Sequence, residues 1–170
     1  MKYAVLPLNP PYGSLIAACE AHPTLGKHIE TRDWATTYRG PLLIHQTKGL
    51  GEMFANEAAL WDLCLREPFR TTLTAAGYDN PGRLPRGAIV AVCELKAIAK
   101  VEHFVDGEWS GAVLHYGSQM TELPDEPELS FGDYSIGRYA WLLADIRALP
   151  EPIAARGMPG LWEWEGELGL

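Results

Sequence analysis

Short apolar runs separated by Pro and Gly make up much of the chain. Residues 3–8, 28–33, 41–46 and 88–101 are strand-length segments, either apolar or alternating apolar and polar, and bounded by turn-forming residues. The segment 88–101 is the longest, and we expect it to bend midway. The pattern therefore predicts β-strands as the main elements.

Helical spacing of apolar residues occurs in fewer places. Residues 12–21 and 52–65 place apolar side chains three and four positions apart, which is typical of amphipathic helices. Pro23 ends the first of these helices. A third, short helix is expected between Pro68 and Gly77.

The last third of the chain mixes irregular and apolar segments. Residues 104–137 are rich in Gly, Pro and acidic residues, which predicts a long, mobile excursion; a hairpin around 111–116 is the alternative. A strand is predicted at 139–144. A terminal strand pair, 151–156 with 161–165, is predicted across a glycine-containing turn.

These elements predict one fold class. Many short strands, few helices and no alternation of strand with crossover helix argue against a doubly wound sheet. The pattern favours a mainly β (α+β) fold, a closed or nearly closed β-barrel with flanking helices. A length of 170 residues fits one domain, residues 1–170.

Charge and cysteine content narrow the classes of function. The formal net charge of −8 disfavours a protein that grips duplex DNA broadly, although a local basic pocket is compatible with it. Cys19, Cys64 and Cys93 lack metal-ligand spacing, which predicts reduced, buried thiols, no metal and no cofactor. With no signal peptide or membrane-length apolar run, we expect a cytoplasmic protein with no membrane association.

The densest polar cluster lies at residues 26–34. Alternate residues of a strand share a face, so His28, Glu30 and Arg32 should point together, with Trp34 next along that face. Lys27 directly precedes the strand, where a loop can aim it at the same space. A lysine, a carboxylate and a guanidinium beside an indole ring suit a base or a nucleotide.

Each of these residues also has a structural interpretation. Lys27, Glu30 and Arg32 could form only a solvated ion-pair network, and Trp34 could be a core residue. His45, inside an apolar strand, is interpreted as a hydrogen-bonded structural residue. Lys48 is a candidate phosphate contact or simply an exposed lysine.

The same cluster carries a resemblance to a known family. The run GKHIETRDW holds Lys27, Glu30 and Arg32 at the spacing of the GxKxxExR motif of ASCH domains, which belong to the PUA-like group. YRGPLLIH, GAIVAVCEL and the closing YAWLLADIRALPEPIAARGMPGLWEW agree with the family in order. The resemblance leaves out residues of about 50–82 and 104–137, which look like insertions. The start NPPY, at 9–12, departs from the usual Gln-Pro-Trp-Ala.

The resemblance implies a β-barrel whose motif faces a cleft that takes single-stranded RNA or a (modified) nucleotide. One small branch hydrolyses N4-acetylcytidine through a Lys and a Thr three residues later, and another branch cuts RNA. Lys27 matches that Lys, but Glu30 stands in the place of the Thr. Glu30 would therefore act as a general base on water, with Lys27 stabilising negative charge.

Three functional hypotheses follow. The favoured one is an RNA- or nucleotide-binding module that holds phosphate with Lys27 and Arg32 and stacks a base on Trp34, with His28 and Lys48 at the rim. The second is a small hydrolase that uses Lys27 and Glu30. The third is a protein-interaction or regulatory module whose aromatic, acidic surface docks a partner.

Overall fold

The computed structural model describes all 170 residues, with 41% of the chain in strands and 16% in helices. The predicted mainly β class is therefore confirmed. The strands are β1 (Lys2–Leu8), β2 (Ile29–Arg32), β3 (Gly40–Gln46), β4 (Ala88–Asp106), β5 (Trp109–Tyr116), β6 (Gln119–Glu122), β7 (Tyr139–Ala154) and β8 (Trp162–Glu165). The α-helices are α1 (Tyr12–Ala17), α2 (Glu57–Cys64) and α3 (Phe69–Ala75), and two short 3₁₀ helices span Pro81–Arg83 and Leu129–Phe131.

All eight strands belong to one mixed sheet. Its main path runs β2-β7-β4-β3-β1-β8, with β5 paired to the far end of β4 and β6 paired to β5. Only β1 and β3 pair in parallel, and every other pair is antiparallel. The sheet is held together mainly by the long strands β4 and β7.

The predicted closed barrel does not form. β2 pairs only with β7 and β8 pairs only with β1, so these two strands are the open edges of the main path. Closure would require backbone hydrogen bonds between them. The sheet bends instead through register shifts, three of them between β4 and β7.

The predicted pairing of residues 151–156 with residues 161–165 is also wrong. Residues 151–154 continue β7, and Ile153 and Ala154 pair with the start of β4, whereas β8 pairs with β1. The excursion at 104–137 is more regular than expected, because β4 extends to Asp106 and forms a three-stranded ribbon with β5 and β6. The hairpin alternative at 111–116 identified only part of β5.

The helices are shorter than their apolar patterns predicted. α2 begins at Glu57 because the Asn56 side chain caps it, accepting a hydrogen bond from the Ala59 amide at 3.0 Å. α1 ends at Ala17, where the backbone turns more tightly and the Cys19 amide bonds to the Ile16 carbonyl. None of the three helices has the length and apolar character needed to cross a bilayer.

Apolar side chains cover both faces of the central sheet. Successive residues of a strand point to opposite faces, so the unbroken apolar runs in β1, β3 and β4 supply two cores. One core packs under α1 and includes Leu6, Ile44 and Trp141. The other lies beneath β8 and includes Val5, Leu43 and Trp162.

A buried amide joins three of these elements. Gln46 is fully buried at the end of β3, and its Oε1 accepts the Ser14 amide at 2.8 Å. Its Nε2 donates to Ser14 Oγ at 2.9 Å and to the Pro85 carbonyl at 2.6 Å. Gln46 thereby fixes α1 and the loop before β4 against the end of β3.

We expect Gln46→Leu to lower the free energy of unfolding by about 2–3 kcal/mol, because the Ser14 amide and the Pro85 carbonyl would be buried without partners. Urea denaturation measures this difference. Gln119→Leu, at an exposed position of β6, is the matched control and should change stability by less than about 0.5 kcal/mol. Equal effects of the two substitutions would contradict the role given to Gln46.

Candidate functional site

The ends of four neighbouring strands lie side by side at one end of the sheet. Leu8 at the end of β1 is paired with Gln46 at the end of β3, which is paired with Ala88 at the start of β4. Ala88 is in turn paired with Ala154 at the end of β7. The loops that leave these four strands therefore meet, although they are far apart in sequence.

These loops surround a cavity of about 860 Å³, which we call the basic cavity. Its cationic side chains are Arg32, Lys48, Arg86 and Arg156, and no Asp or Glu lines it. The remaining polar side chains are Asn9, His45 and Thr47. Cationic side chains are therefore concentrated at this cavity although the chain carries a net charge of −8.

The four cations differ in whether they already bind a carboxylate of the protein. Arg86 holds the Glu57 carboxylate with two contacts of 2.8 and 2.9 Å and also donates to the Lys48 carbonyl. Lys48 and Arg156 are exposed and form no ion pair or side-chain hydrogen bond. Arg86 therefore holds the loop in position, while Lys48 and Arg156 can bind an anion.

His45 lies in the wall of the basic cavity and is 1% exposed. Its Nε2 lies 2.9 Å from the Ala155 carbonyl, an acceptor, so Nε2 carries the proton in this contact. Gly157 covers the ring, and a Cβ at that position would lie 2.7 Å from His45 Cε1. His45 is hydrogen-bonded as the sequence indicated, and a glycine is required beside it.

The structure brings Lys27, Glu30 and Arg32 together. Lys27 Nζ lies 3.2 Å from Glu30 Oε2, and Glu30 Oε1 lies 3.5 Å from Arg32 Nε. Lys27 also donates to the Ile29 carbonyl, and Arg32 donates to the Pro7 carbonyl. Strand β2 and the residue before it therefore form a chain of alternating charges.

The members of this cluster differ in exposure. Lys27 is 1% exposed, so its ammonium neutralises protein carboxylates and has no access to a ligand in this conformation. Arg32 lines the basic cavity. Glu30 lines a smaller cavity of about 320 Å³ with Asp133 and Arg138.

The proposed catalytic role of Lys27 and Glu30 remains a prediction. Each carboxylate oxygen of Glu30 lies within 3.5 Å of a cation, although Oε2 is buried without a hydrogen-bond partner. Cysteine chemistry has no support, because burial raises the pKa of Cys19 and of Cys93 to about 12. All three cysteines are free and buried, as predicted.

A second carboxylate holds the start of β2. Glu128 is 9% exposed and accepts the amides of His28 and Ile29, each at 2.8 Å. Burial raises the pKa of Glu128, an effect that the two amide hydrogen bonds and the Lys27 charge oppose. The sequence did not indicate a role for Glu128, because this residue lies in an acidic segment of the kind that usually forms a solvent-exposed loop.

The other two predicted site residues lie outside the basic cavity. Trp34 is half-buried and packs edge-to-face on Trp141, with ring centroids 4.9 Å apart and an interplanar angle of 82°. His28 Nε2 lies 2.7 Å from the Pro23 carbonyl. Neither side chain lines the cavity, so base stacking on Trp34 has no geometric support.

Sequence analysis also missed Arg86 and Arg156. Each stands immediately before a glycine at one end of a long strand, in the runs PRG and ARG. This local signal is weak, because Arg-Gly pairs are common in turns. Only the pairing of Ala88 with Ala154 shows that the two loops are neighbours.

No model of a known protein family and no curated protein matches this chain.

We expect Lys27→Met to lower the free energy of unfolding by about 3 kcal/mol, because Glu30 and Glu128 would lose a buried counter-charge. Lys96→Met, which removes an exposed lysine paired with Asp145 at 3.5 Å, is the matched control and should cost less than about 1 kcal/mol. Urea denaturation compares the two variants. A loss no larger than that of the control would show that the buried ammonium is dispensable.

Glu128 should make stability depend on pH in a defined direction. A carboxyl group whose pKa is raised in the folded state contributes stability below its ordinary pKa and loses it as pH rises through the raised value. We expect the stability difference between wild type and Glu128→Gln to favour wild type increasingly as pH falls towards 4.5. Urea denaturation at a series of pH values tests this; a difference independent of pH would contradict it.

Proposed function

We propose that the chain is an ASCH-type module that binds the phosphate groups of a nucleotide or a short single-stranded RNA in the basic cavity. The observation that carries this proposal is the concentration of four cationic side chains around one concavity that no carboxylate lines, two of which, Lys48 and Arg156, have no protein counter-charge. Such a surface on an acidic chain attracts anions locally and repels them elsewhere.

The size of the cavity supports a nucleotide-sized ligand. A volume of about 860 Å³ lies within the range of small-molecule sites, roughly 300–1,000 Å³. Gly49, Gly87, Gly157 and Gly160 line it, so backbone groups are accessible there without side-chain obstruction. Guanidinium groups bind phosphate with two parallel hydrogen bonds, which suits Arg156 to this role.

Arg32 connects the cavity to the motif on which the resemblance to ASCH domains rests. Its charge is held at the cavity wall by Glu30 and by the Pro7 carbonyl. Arg32 is therefore the motif residue we assign to the ligand, while Lys27 supports β2 from inside. Long duplex DNA is a poor candidate, because the net charge of −8 opposes binding outside the cavity.

Fluorescence anisotropy with a labelled RNA pentamer and a labelled mononucleotide tests the proposal. We expect Lys48→Met/Arg156→Met to weaken binding about tenfold, because the two cations without protein partners are removed. Loss of two phosphate contacts should also make the plot of log affinity against log salt shallower by about 1.4.

Lys96→Met/Arg83→Met is the matched control, since it removes the same charge from exposed positions outside the cavity. Binding by the control should stay within about twofold of wild type. Equal losses of affinity in the two double variants would show that the effect comes from net charge alone, and would refute the cavity as the binding site. Absence of binding to both probes would refute the function itself.

A further inference from the structure

The ribbon of β4, β5 and β6 presents an apolar face that the proposed function does not use. Residues directly opposite each other in antiparallel strands share a face, and the pairs Asp106–Trp109, Phe104–Gly111 and Val113–Glu122 define this one. A cavity of about 350 Å³ lies on it, lined by the side chains of Phe104, Asp106, Trp109, Val113, Met120 and Glu122 together with Thr121. We call this surface the ribbon groove.

The groove combines exposed apolar surface with unpaired negative charge. Trp109 is 46% exposed and Met120 is 47% exposed, and both lie on the same surface. Asp106 and Glu122 form no ion pair or hydrogen bond. Glu102, the third carboxylate of this face, is already paired with His115 at 2.8 Å.

The groove also adjoins an open sheet edge. β6 pairs with β5 alone, all four of its residues are exposed, and its outer backbone groups have no strand partner. Such an edge can accept a further strand through main-chain hydrogen bonds. Side chains of an added strand would lie beside Met120 and Glu122.

We propose that the ribbon binds an extended basic segment of another protein, which adds a strand to β6 and places a Lys or Arg side chain in the ribbon groove. The rings of Phe104 and Trp109, with centroids 6.2 Å apart, offer π-faces to that cation. Asp106 and Glu122 supply its counter-charges. The alkyl part of the same side chain covers Met120 and Val113.

Charge argues for this occupant against a second copy of the chain. A second copy would bring the same unpaired Asp106 and Glu122 and a net charge of −8 towards each other. A basic segment is instead attracted to both the groove and the acidic molecule as a whole.

Four synthetic peptides test the proposal by fluorescence anisotropy. The probe is a fluorescein-labelled nine-residue peptide of alternating Arg and Val. Its first twin carries Glu in place of Arg, and two further twins are N-methylated on the odd or on the even residues. We expect the probe to bind at least about tenfold more tightly than the Glu twin and than one of the N-methylated twins.

The binding should depend on the groove residues. Asp106→Asn/Glu122→Gln and Trp109→Ala should each weaken probe binding by about tenfold. Glu151→Gln/Glu163→Gln removes equal charge from exposed positions outside the ribbon and should stay within about twofold of wild type. The Asn/Gln variant is nearly isosteric and exposed, so it keeps the test valid if Trp109→Ala perturbs the ribbon.

Equal loss in the Asn/Gln variant and its control would overturn the groove as the binding site. Unchanged binding of both N-methylated twins would overturn strand addition. Sedimentation velocity provides the remaining test: self-association that Trp109→Ala abolishes would show that a second copy occupies the groove and would overturn the basic segment.

Discussion

The buried charge of Lys27 constrains the whole cluster around β2. An ammonium that is 1% exposed is tolerated only if carboxylates and carbonyls surround it. Glu30 from β2 and Glu128 from the segment before β7 supply that charge, and the Ile29 carbonyl supplies an acceptor. The requirement thereby ties a short edge strand to a distant loop and fixes where Arg32 lies.

The basic cavity has a different origin, in the alignment of strand ends. No short stretch of sequence forms the cavity, because its cations come from β2 and from the loops beside β3, β4 and β7. The aligned pairs Leu8–Gln46, Gln46–Ala88 and Ala88–Ala154 bring three of these segments to one edge. Arg32 is held at the cavity separately, by the hydrogen bond that it donates to the Pro7 carbonyl. The cavity therefore depends on register at several places in the sheet.

These two origins explain how much could be predicted from sequence. The spacing of apolar residues and the positions of Pro and Gly located β1, β3 and the start of β4. The alternation of side chains along β2 placed Glu30 and Arg32 on one face. Long-range pairing could not be predicted from the sequence: Ile153 and Ala154 pair with β4, and β8 pairs with β1. The distribution of acidic residues also led to wrong predictions, since Glu128 is buried and residues 109–116 and 119–122 form strands. Local patterns report local periodicity, whereas partners and burial are set by the rest of the fold.

The 19-residue strand β4 connects the basic cavity to the ribbon groove. It begins beside Gly87 in the wall of the basic cavity and ends at Asp106 in the ribbon, a contour of about 60 Å if fully extended. Lys48 and Arg156, which have no protein counter-charge, therefore lie near one end of a continuous backbone, and the unpaired carboxylates of Asp106 and Glu122 lie near the other. Such a separation of charge along one strand would help to orient the molecule in the field of a charged macromolecule before any contact is made.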